Sequence, residues 1–598
     1  MYILVKENLL RLSRIPFFVT ILFLKVLLLR SYVFPDAWNL HIILPELASL
    51  VLIFSFLELL TPQKTMVFWV MDSLLSIFFL ANVMYYSHFG SILGLQAISQ
   101  AVMLKDIGSS IFELFSRVYL LFFLDIFLFL IISIFPKRFK KITRTKYPIN
   151  RKPVLAACLF TLFFSFFCLR NYPAKDNMIA LAQDTGIFNA QFYEIYSSFH
   201  KSKDVALPTN KFNQASINEL KQIAPVSWPK YYGAASGKNI ILVQLESTEN
   251  FVIGVSLNDQ EVTPNLNRLL QDSMYFPRFY SQIGQGNTSD AEFLSNTSFY
   301  PLSKGSITDT FENIEFPSLP RLLKTKGYIS VTFHPNDVTF WNRDNLYPCL
   351  GFDRYYDKKF YQNEDQLGPW GSSDEMLFKK AIPILLDYKN KNQKFYASFI
   401  TLTNHHPYNL PDKKKRLKLP SSLSGTLLGN YLTSVNYEDY ALGLFFEDLK
   451  ANKLWDDSVL IIYGDHFGIS QNDENLYKKK IQELLGREHN IIDRLNIPLF
   501  LRVPGLKPQI IKNIGGQVDI LPTLANLLGL PLKQRLVFGQ DILNNDHNLL
   551  GFRYFYPEGT FISSQLFHLG GKTGSQQEEQ RIKTLMQLSD SYLQSLAK

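Results

Sequence analysis

Asn239-Ile-Ile-Leu-Val-Gln-Leu-Glu246 and Ser458-Val-Leu-Ile-Ile-Tyr-Gly-Asp-His466 are apolar runs of strand length, each closing on residues that bind metals. A continuous apolar run of this kind reads as a strand buried on both faces. Similar runs lie at 329–333, 395–402 and 498–503. Amphipathic patterns of helical period lie between and around them, at 265–272, 319–326, 374–390, 434–450 and 520–528. This alternation predicts an α/β domain with a doubly wound, mainly parallel sheet covered by helices on both faces. Ligands of such sheets bind beyond the carboxyl ends of the strands, where Glu246, His405 and Asp465-His466 all fall.

A carboxylate, a hydroxyl and an Asp-His pair could together hold one divalent cation. The hydroxyl is Thr288, in Gly284-Gln-Gly-Asn-Thr-Ser-Asp-Ala-Glu292. A threonine hydroxyl is a poor nucleophile at neutral pH unless a base or a metal stabilises its alkoxide. Ser289-Asp-Ala-Glu292 fits a capping box, so a helix start is expected beside Thr288, with free N–H groups suited to a phosphate. Adjacent Asp and His ligands suit Mn²⁺, Zn²⁺ or Mg²⁺. A further group of residue types suits substrate contact. His334, Trp341 and Arg343 share one stretch, and His405 lies in Thr401-Leu-Thr-Asn-His-His-Pro407. Arg grips phosphate bidentately, His can donate to its oxygens, and Trp can pack on a glycerol or sugar.

Outward from this core, the composition divides. Of 598 residues 47% are hydrophobic, but long Phe/Leu/Ile stretches are confined to the part before about residue 170. Five spans are expected, at 15–34, 41–60, 66–86, 114–135 and 153–169, each close to the ~20 residues a bilayer-crossing helix needs. Lys25 and Arg30 interrupt the first, and should snorkel or draw it partly into the headgroups. Glu46 and Asp125 also fall inside spans, where they serve either helix packing or a lipid-headgroup path. Lys6, Arg11 and Arg14 precede the first span, and Lys64 follows the second. Lys137, Arg138, Lys140, Lys141, Arg144, Lys146, Arg151 and Lys152 separate the fourth from the fifth. These are alternate loops, which places the N-terminus in the cytoplasm and the later residues outside. Much of the net charge of +9 sits in that one loop, so topology and anionic lipid explain it better than nucleic acid does. Three domains follow: a transmembrane domain over 1–170, an extracellular linker over 171–237 and a catalytic domain over 238–598. Ala180-Leu-Ala182 reads either as a signal-peptidase site or as ordinary helix. Cys349 stands alone in the outer part, so no disulfide can form within it.

Taken in order, seven strings resemble the lipoteichoic acid synthase family, the polyglycerolphosphate polymerases of the Gram-positive cell membrane. They are Gln244-Leu-Glu-Ser247, Thr263-Pro-Asn-Leu-Asn-Arg-Leu269, Gly286-Asn-Thr-Ser-Asp-Ala-Glu-Phe293, Phe340-Trp-Asn-Arg343, Thr401-Leu-Thr-Asn-His405, Tyr463-Gly-Asp-His466 and Val518-Asp-Ile-Leu-Pro-Thr523. The resemblance implies an alkaline phosphatase/sulfatase-like fold. It implies that Glu246, Thr288, Asp465 and His466 hold one Mn²⁺ or Mg²⁺, with Thr288 as nucleophile. It further implies that His334, Trp341, Arg343 and His405 hold glycerol phosphate taken from phosphatidylglycerol for a glycolipid or growing-chain acceptor. The sequence departs from the pattern at Asn287, where a basic residue is expected. His406 beside His405 leaves two histidines for one role, and the string favours His405.

Rival readings are a primase adding one unit, a phosphoethanolamine-type headgroup transferase, and a non-catalytic envelope protein. A sulfatase is disfavoured, because Thr288-Ser-Asp-Ala lacks the Cys or Ser followed by Pro and Arg that its modified nucleophile requires.

Overall fold

The structure, a computed structural model, describes residues 14–34, 40–61, 64–89, 91–94, 115–134, 151–170, 178–199, 213–224 and 226–597, apart from 304, 312, 369 and 534. The chain divides into two compact units, 1–202 and 203–598. Lys6, Arg11 and six of the basic residues expected between the fourth and fifth spans, Lys137 to Lys146, lie outside the described residues.

The first unit is helical. It contains α1 (Arg14–Val33), α2 (Leu40–Leu60), α3 (Thr65–Phe89), a 3₁₀ stretch Arg117–Phe123 running into α4 (Leu124–Ser133), α5 (Arg151–Arg170), α6 (Met178–Thr185) and α7 (Ile187–Phe199). Four helices among the described residues are long and apolar enough to cross a membrane: Arg14–Val33, Ile43–Leu60, Thr65–Ser87 and Arg151–Arg170. The expected span at 114–135 is not one α-helix. It breaks at Phe123 (φ −115°, ψ 4°), immediately before Asp125, whose carboxylate is tied to Lys25. Hydropathy counts such a segment as continuous because it records apolarity and not hydrogen-bond geometry. On α5, Leu159, Phe160, Phe163 and Phe166 are all exposed, a lipid-type surface with no aqueous counterpart.

Lys25 and Arg30 do not snorkel. Both are buried, with Lys25 at 2.9 Å from Asp72 and Arg30 at 2.9 Å from Glu46. Arg14 likewise pairs with Glu58 at 2.7 Å. A buried cation without a partner would be prohibitive in an apolar layer, so pairing wins over snorkelling where acids face it. Glu46 accordingly serves packing: it also accepts from the Ile187 N–H that opens α7. Ala182 is fully buried in α6.

The second unit is built on an eight-stranded sheet of order β8-β2-β7-β6-β1-β5-β3-β4. The strands are β1 (Asn239–Leu245), β2 (Met274–Tyr275), β3 (Ile329–Phe333), β4 (Arg354–Tyr356), β5 (Phe395–Ile400), β6 (Ser458–Gly464), β7 (Leu499–Arg502) and β8 (Gln509–Ile510). The centre is parallel, with β1 between β5 and β6. The sheet is mixed, because β7 runs antiparallel to both β6 and β2. Strand periodicity sends alternate residues of β1 to opposite cores. Ile240 and Leu242 join Leu521, Leu524 and Leu528. Ile241 and Val243 join Leu377, Phe378 and Phe445. The covering helices are α8 (Thr288–Thr297), α9 (Arg343–Leu350), α10 (Asp374–Asn390), α11 (Leu427–Ala451), α12 (Gln471–Leu485) and α13 (Ile520–Leu528).

Candidate active site

β1 and β6 are neighbours in register, Leu245 opposite Gly464, so Glu246 and Asp465 leave the sheet side by side. Ser247 then turns back in the left-handed region (φ 53°), which lets its N–H donate to Asp465 Oδ1 at 2.7 Å. Gly464 and Gly468 permit the close approach, since a Cβ on either would run into backbone of Thr248 or Ser247. The result is a cluster in which one ligand-type atom each of Glu246, Asp465 and His466 lie within 4.8 Å of one another. Thr288, the first residue of α8, brings Oγ1 to 3.3 Å from Glu246 Oε2 and 3.5 Å from His466 Nε2.

The donor set fits a cation. His466 Nδ1 sits 2.9 Å from the carbonyl of Phe467, which can only accept, so Nδ1 carries a proton and Nε2 is the nitrogen left to meet a metal. His466 Nε2 faces Glu246 Oε1 at 3.4 Å and Asp465 Oδ2 at 3.6 Å. Burial, and then the Glu246 charge, push Asp465 well above the usual carboxylate range. The two converging carboxylates repel one another, and a divalent ion held between them and the imidazole would relieve this.

The start of α8 departs from expectation. Ser289-Asp-Ala-Glu292 forms no capping box. The N-cap is Asn287, with φ 42° and ψ −113° and no side-chain cap. Asp290 holds the turn instead, accepting from the N–H groups of Gly284 at 3.0 Å and Gly286 at 2.9 Å. Burial raises Asp290 to about 6 despite these bonds. Glu292 is diverted to Arg343, whose Nε and Nη2 reach its Oε1 at 2.8 and 2.7 Å, while Tyr347 donates to Oε2 at 3.0 Å. Backbone strain of the Asn287 kind costs about 1–3 kcal/mol and persists where surrounding structure fixes it.

His334 and Arg343 line one small cavity with Asn336 and Tyr356. Burial, then the Arg343 charge, hold His334 well below its ordinary value, so its ring is neutral. Arg343 lies near enough to Glu246 to feel its charge. Trp341 adopts φ 59° at the kink before α9. Of the two adjacent histidines, His406 is buried and His405 is partly exposed. Trp370, which sequence reasoning missed, packs against His405 with ring centres 4.0 Å apart and meets Phe340 at 5.9 Å. Its only signal was a tryptophan in a Gly-Pro-Trp-Gly turn.

Also missed was the support beneath Glu246. Glu438, fully inside α11, accepts from Thr401 Oγ1 at 2.6 Å and Thr248 Oγ1 at 2.7 Å. Thr401 Oγ1 in turn accepts from the Glu246 N–H at 2.7 Å.

Two expected outcomes follow from buried charges here. Arg343→Ala would leave the Glu292 carboxylate buried and unpaired, a loss of about 3–5 kcal/mol in a denaturant titration; a change below 1 kcal/mol would mean that the pair is not buried as drawn. His489 supports the loop after His466: it lies 3.6 Å from Glu249 and 3.1 Å from Glu474, and Glu249 receives the N–H groups of Gly468 and Ile469. Burial opposes its charge, but the two carboxylates prevail and raise it from 6.5 to about 9. A raised base stabilises fully below its unfolded pKa and loses this as pH rises through the folded one. Between pH ~6.5 and ~9, wild type should therefore lose its stability advantage over His489→Gln; an advantage independent of pH would refute the charged pair.

Comparison with known proteins follows the same lines. The lipoteichoic acid synthase N-terminal domain model matches residues 4–206, and the sulfatase model matches residues 238–530. The chain is 32% identical to lipoteichoic acid synthase 2 of Bacillus subtilis, over 86% of this chain and 80% of that protein. It is 32% identical to lipoteichoic acid synthase of Staphylococcus aureus, over 86% and 81%. Among solved structures, lipoteichoic acid synthase LtaP from Listeria monocytogenes superposes with a TM-score of 0.61 at 38% identity, covering 64% of this chain and 98% of that one. The chain belongs to the lipoteichoic acid synthase family, and its second unit carries the fold of the alkaline phosphatase/sulfatase superfamily.

Proposed function

We propose that the protein is a phosphoglycerol transferase of lipoteichoic acid synthesis, moving sn-glycerol phosphate from phosphatidylglycerol to a lipid-anchored acceptor. The observation that carries this is the position of Thr288 Oγ1, at the N-terminus of α8 and 3.3 Å from Glu246 in the Glu246–Asp465–His466 cluster. Glu246, Thr288, Asp465 and His466 would hold one Mn²⁺ or Mg²⁺. Such an ion lowers the pKa of a hydroxyl that binds it and offsets charge on phosphoryl oxygens. Thr288 attacks phosphorus, and diacylglycerol leaves with its oxygen. The glycerophospho-threonine so formed is then attacked by an acceptor hydroxyl, which regenerates Thr288.

The remaining residues hold the substrate. Arg343 is fixed by Glu292 and keeps its charge, so it can face phosphate without reorganising. His334 Nδ1 lies 3.0 Å from the Ile400 carbonyl. In the neutral ring this leaves Nε2 as an acceptor, which suits a glycerol hydroxyl better than a phosphate oxygen. Trp341 and His405 complete the glycerol-phosphate contacts, with His405 braced by Trp370. The donor and acceptor are both lipids, which gives the membrane unit its purpose. On this reading the N-terminus is cytoplasmic and the catalytic unit lies outside, with domains at 1–170, 171–237 and 238–598. Release of the outer unit by cleavage near Ala182 would require α6 to open, since Ala182 is fully buried.

The test is labelled phosphatidylglycerol supplied with Mn²⁺ and a glycolipid acceptor to the purified full-length protein. Diacylglycerol with a ladder of products establishes a polymerase; a single addition establishes a primase. No diacylglycerol with any divalent ion would reject this donor.

A further inference from the structure

Among the described residues of the membrane unit are three buried ionic groups, and their charges do not balance alike. Arg14 faces one acid, Glu58. Arg30 faces one acid, Glu46. Lys25 faces two: Asp72 at 2.9 Å and Asp125 at 2.7 Å. Lys25 Nζ also donates to Ser76 Oγ at 2.8 Å, while both Asp125 oxygens, though one is at ion-pair distance, have no hydrogen-bond partner. Ser76 spends its own hydroxyl proton on the Asp72 carbonyl at 2.7 Å. Asp72 is completely buried, and its Oδ2 has no hydrogen-bond partner. Glu46 also has an orphaned oxygen, but there the charges cancel. Lys25 and Asp125 are the charged groups that act on Asp72; on the neighbouring helices Arg14, Arg30, Glu46 and Glu58 are taken up in their own pairs.

Lys25 lies eleven residues into α1, about 16 Å along the axis at ~1.5 Å per residue. That is midway through an apolar layer of about 30 Å. A net negative charge at that depth is strongly unfavourable unless a positive charge joins it. The second carboxylate, Asp125, stands in the first turn of α4, just after the break at Phe123, and side-chain sites at this depth commonly use such interrupted helices.

We propose that Lys25, Asp72 and Asp125 form a site for one monovalent cation, a proton or an alkali ion, within the membrane unit. Its occupancy neutralises the triad and so fixes Asp125, with the segment that carries it, onto α1 and α3. The site is independent of the phosphoryl-transfer reading.

The test uses full-length protein in phosphatidylcholine nanodiscs. Thermal unfolding is followed in Na⁺ or in N-methyl-D-glucamine at fixed pH, and across pH without Na⁺. Wild type should gain roughly 2–4 °C from Na⁺, or from lower pH in its absence, the scale expected for a unit of this size. The first result identifies an alkali ion and the second a proton. Asp72→Asn, which leaves one acid for Lys25, should be at least as stable as wild type and lose that gain. Asp125→Asn tests the same balance from the other carboxylate if Asp72→Asn fails to fold. Glu46→Gln, which strands Arg30, should lower the midpoint and keep the response. Identical responses of wild type and both Asn variants to Na⁺ and to pH would overturn the proposal. So would a loss in Asp72→Asn as large as in Glu46→Gln.

Discussion

Thr288→Ala is expected to stop diacylglycerol release from phosphatidylglycerol, by about 10³-fold or more, because on the proposed mechanism it removes the covalent nucleophile and leaves only binding and electrostatic assistance. The fold should hardly change. Thr288 Oγ1 makes only long contacts, at 3.3 and 3.5 Å, whereas the turn before α8 is held by Asp290 and by Ser289 Oγ donating to Gly286 O at 2.8 Å. The melting midpoint of the variant should stay within a degree or so of wild type, on the rule that substitutions outside strong contacts cost little. Thr288→Ser keeps a hydroxyl and should retain part of the activity. In wild type supplied with donor but no acceptor, mass spectrometry should find glycerophosphate on the peptide containing Thr288. Retained turnover in Thr288→Ala, or label on another residue, would move the nucleophile elsewhere.

The centre of the sheet was open to reading because β1, β3, β5 and β6 are buried almost throughout and rich in apolar residues. The direction of β7 was not. An apolar run looks the same whichever way it travels, and only the chain path from β6 makes Leu499–Arg502 antiparallel. Two-residue strands such as Met274–Tyr275 carry no periodicity at all. At the site, Glu246, Thr288, Asp465 and His466 stood out because each ends an apolar run or opens a helix, and the structure brings these four together. Glu292 was misassigned because a capping box is a local pattern, while Arg343, 51 residues away, competes for the same carboxylate. Glu438 was invisible for the same reason: its partners Thr248 and Thr401 lie 190 and 37 residues away. The fate of Lys25 and Arg30 depended on acids 47 and 16 residues on, which hydropathy cannot pair.

Removing divalent ions should abolish turnover and lower the unfolding midpoint of the catalytic unit, and Mn²⁺ should restore both. A ligand at about 100 times its Kd stabilises by about 2.7 kcal/mol, and a shift of a few degrees is the observable. Glu246→Gln separates the two roles of that carboxylate. It relieves the repulsion between Glu246 and Asp465 in chelated protein, so that state should be more stable than chelated wild type. Yet it should show little gain from Mn²⁺ and little activity. The gain in wild type should also depend on pH with a definite sign. Burial and the Glu246 charge raise Asp465, so the metal-free folded state binds a proton more tightly than the unfolded chain does. Stability of that state therefore falls as pH rises from the ordinary carboxylate pKa toward the raised one. A bound cation removes the reason for the raised pKa and with it this fall. The midpoint difference between Mn²⁺-loaded and chelated protein should accordingly widen as pH increases over that window, and Glu246→Gln should flatten it. A difference that is constant with pH, or equal in Glu246→Gln, would mean that Glu246 and Asp465 do not share an ion.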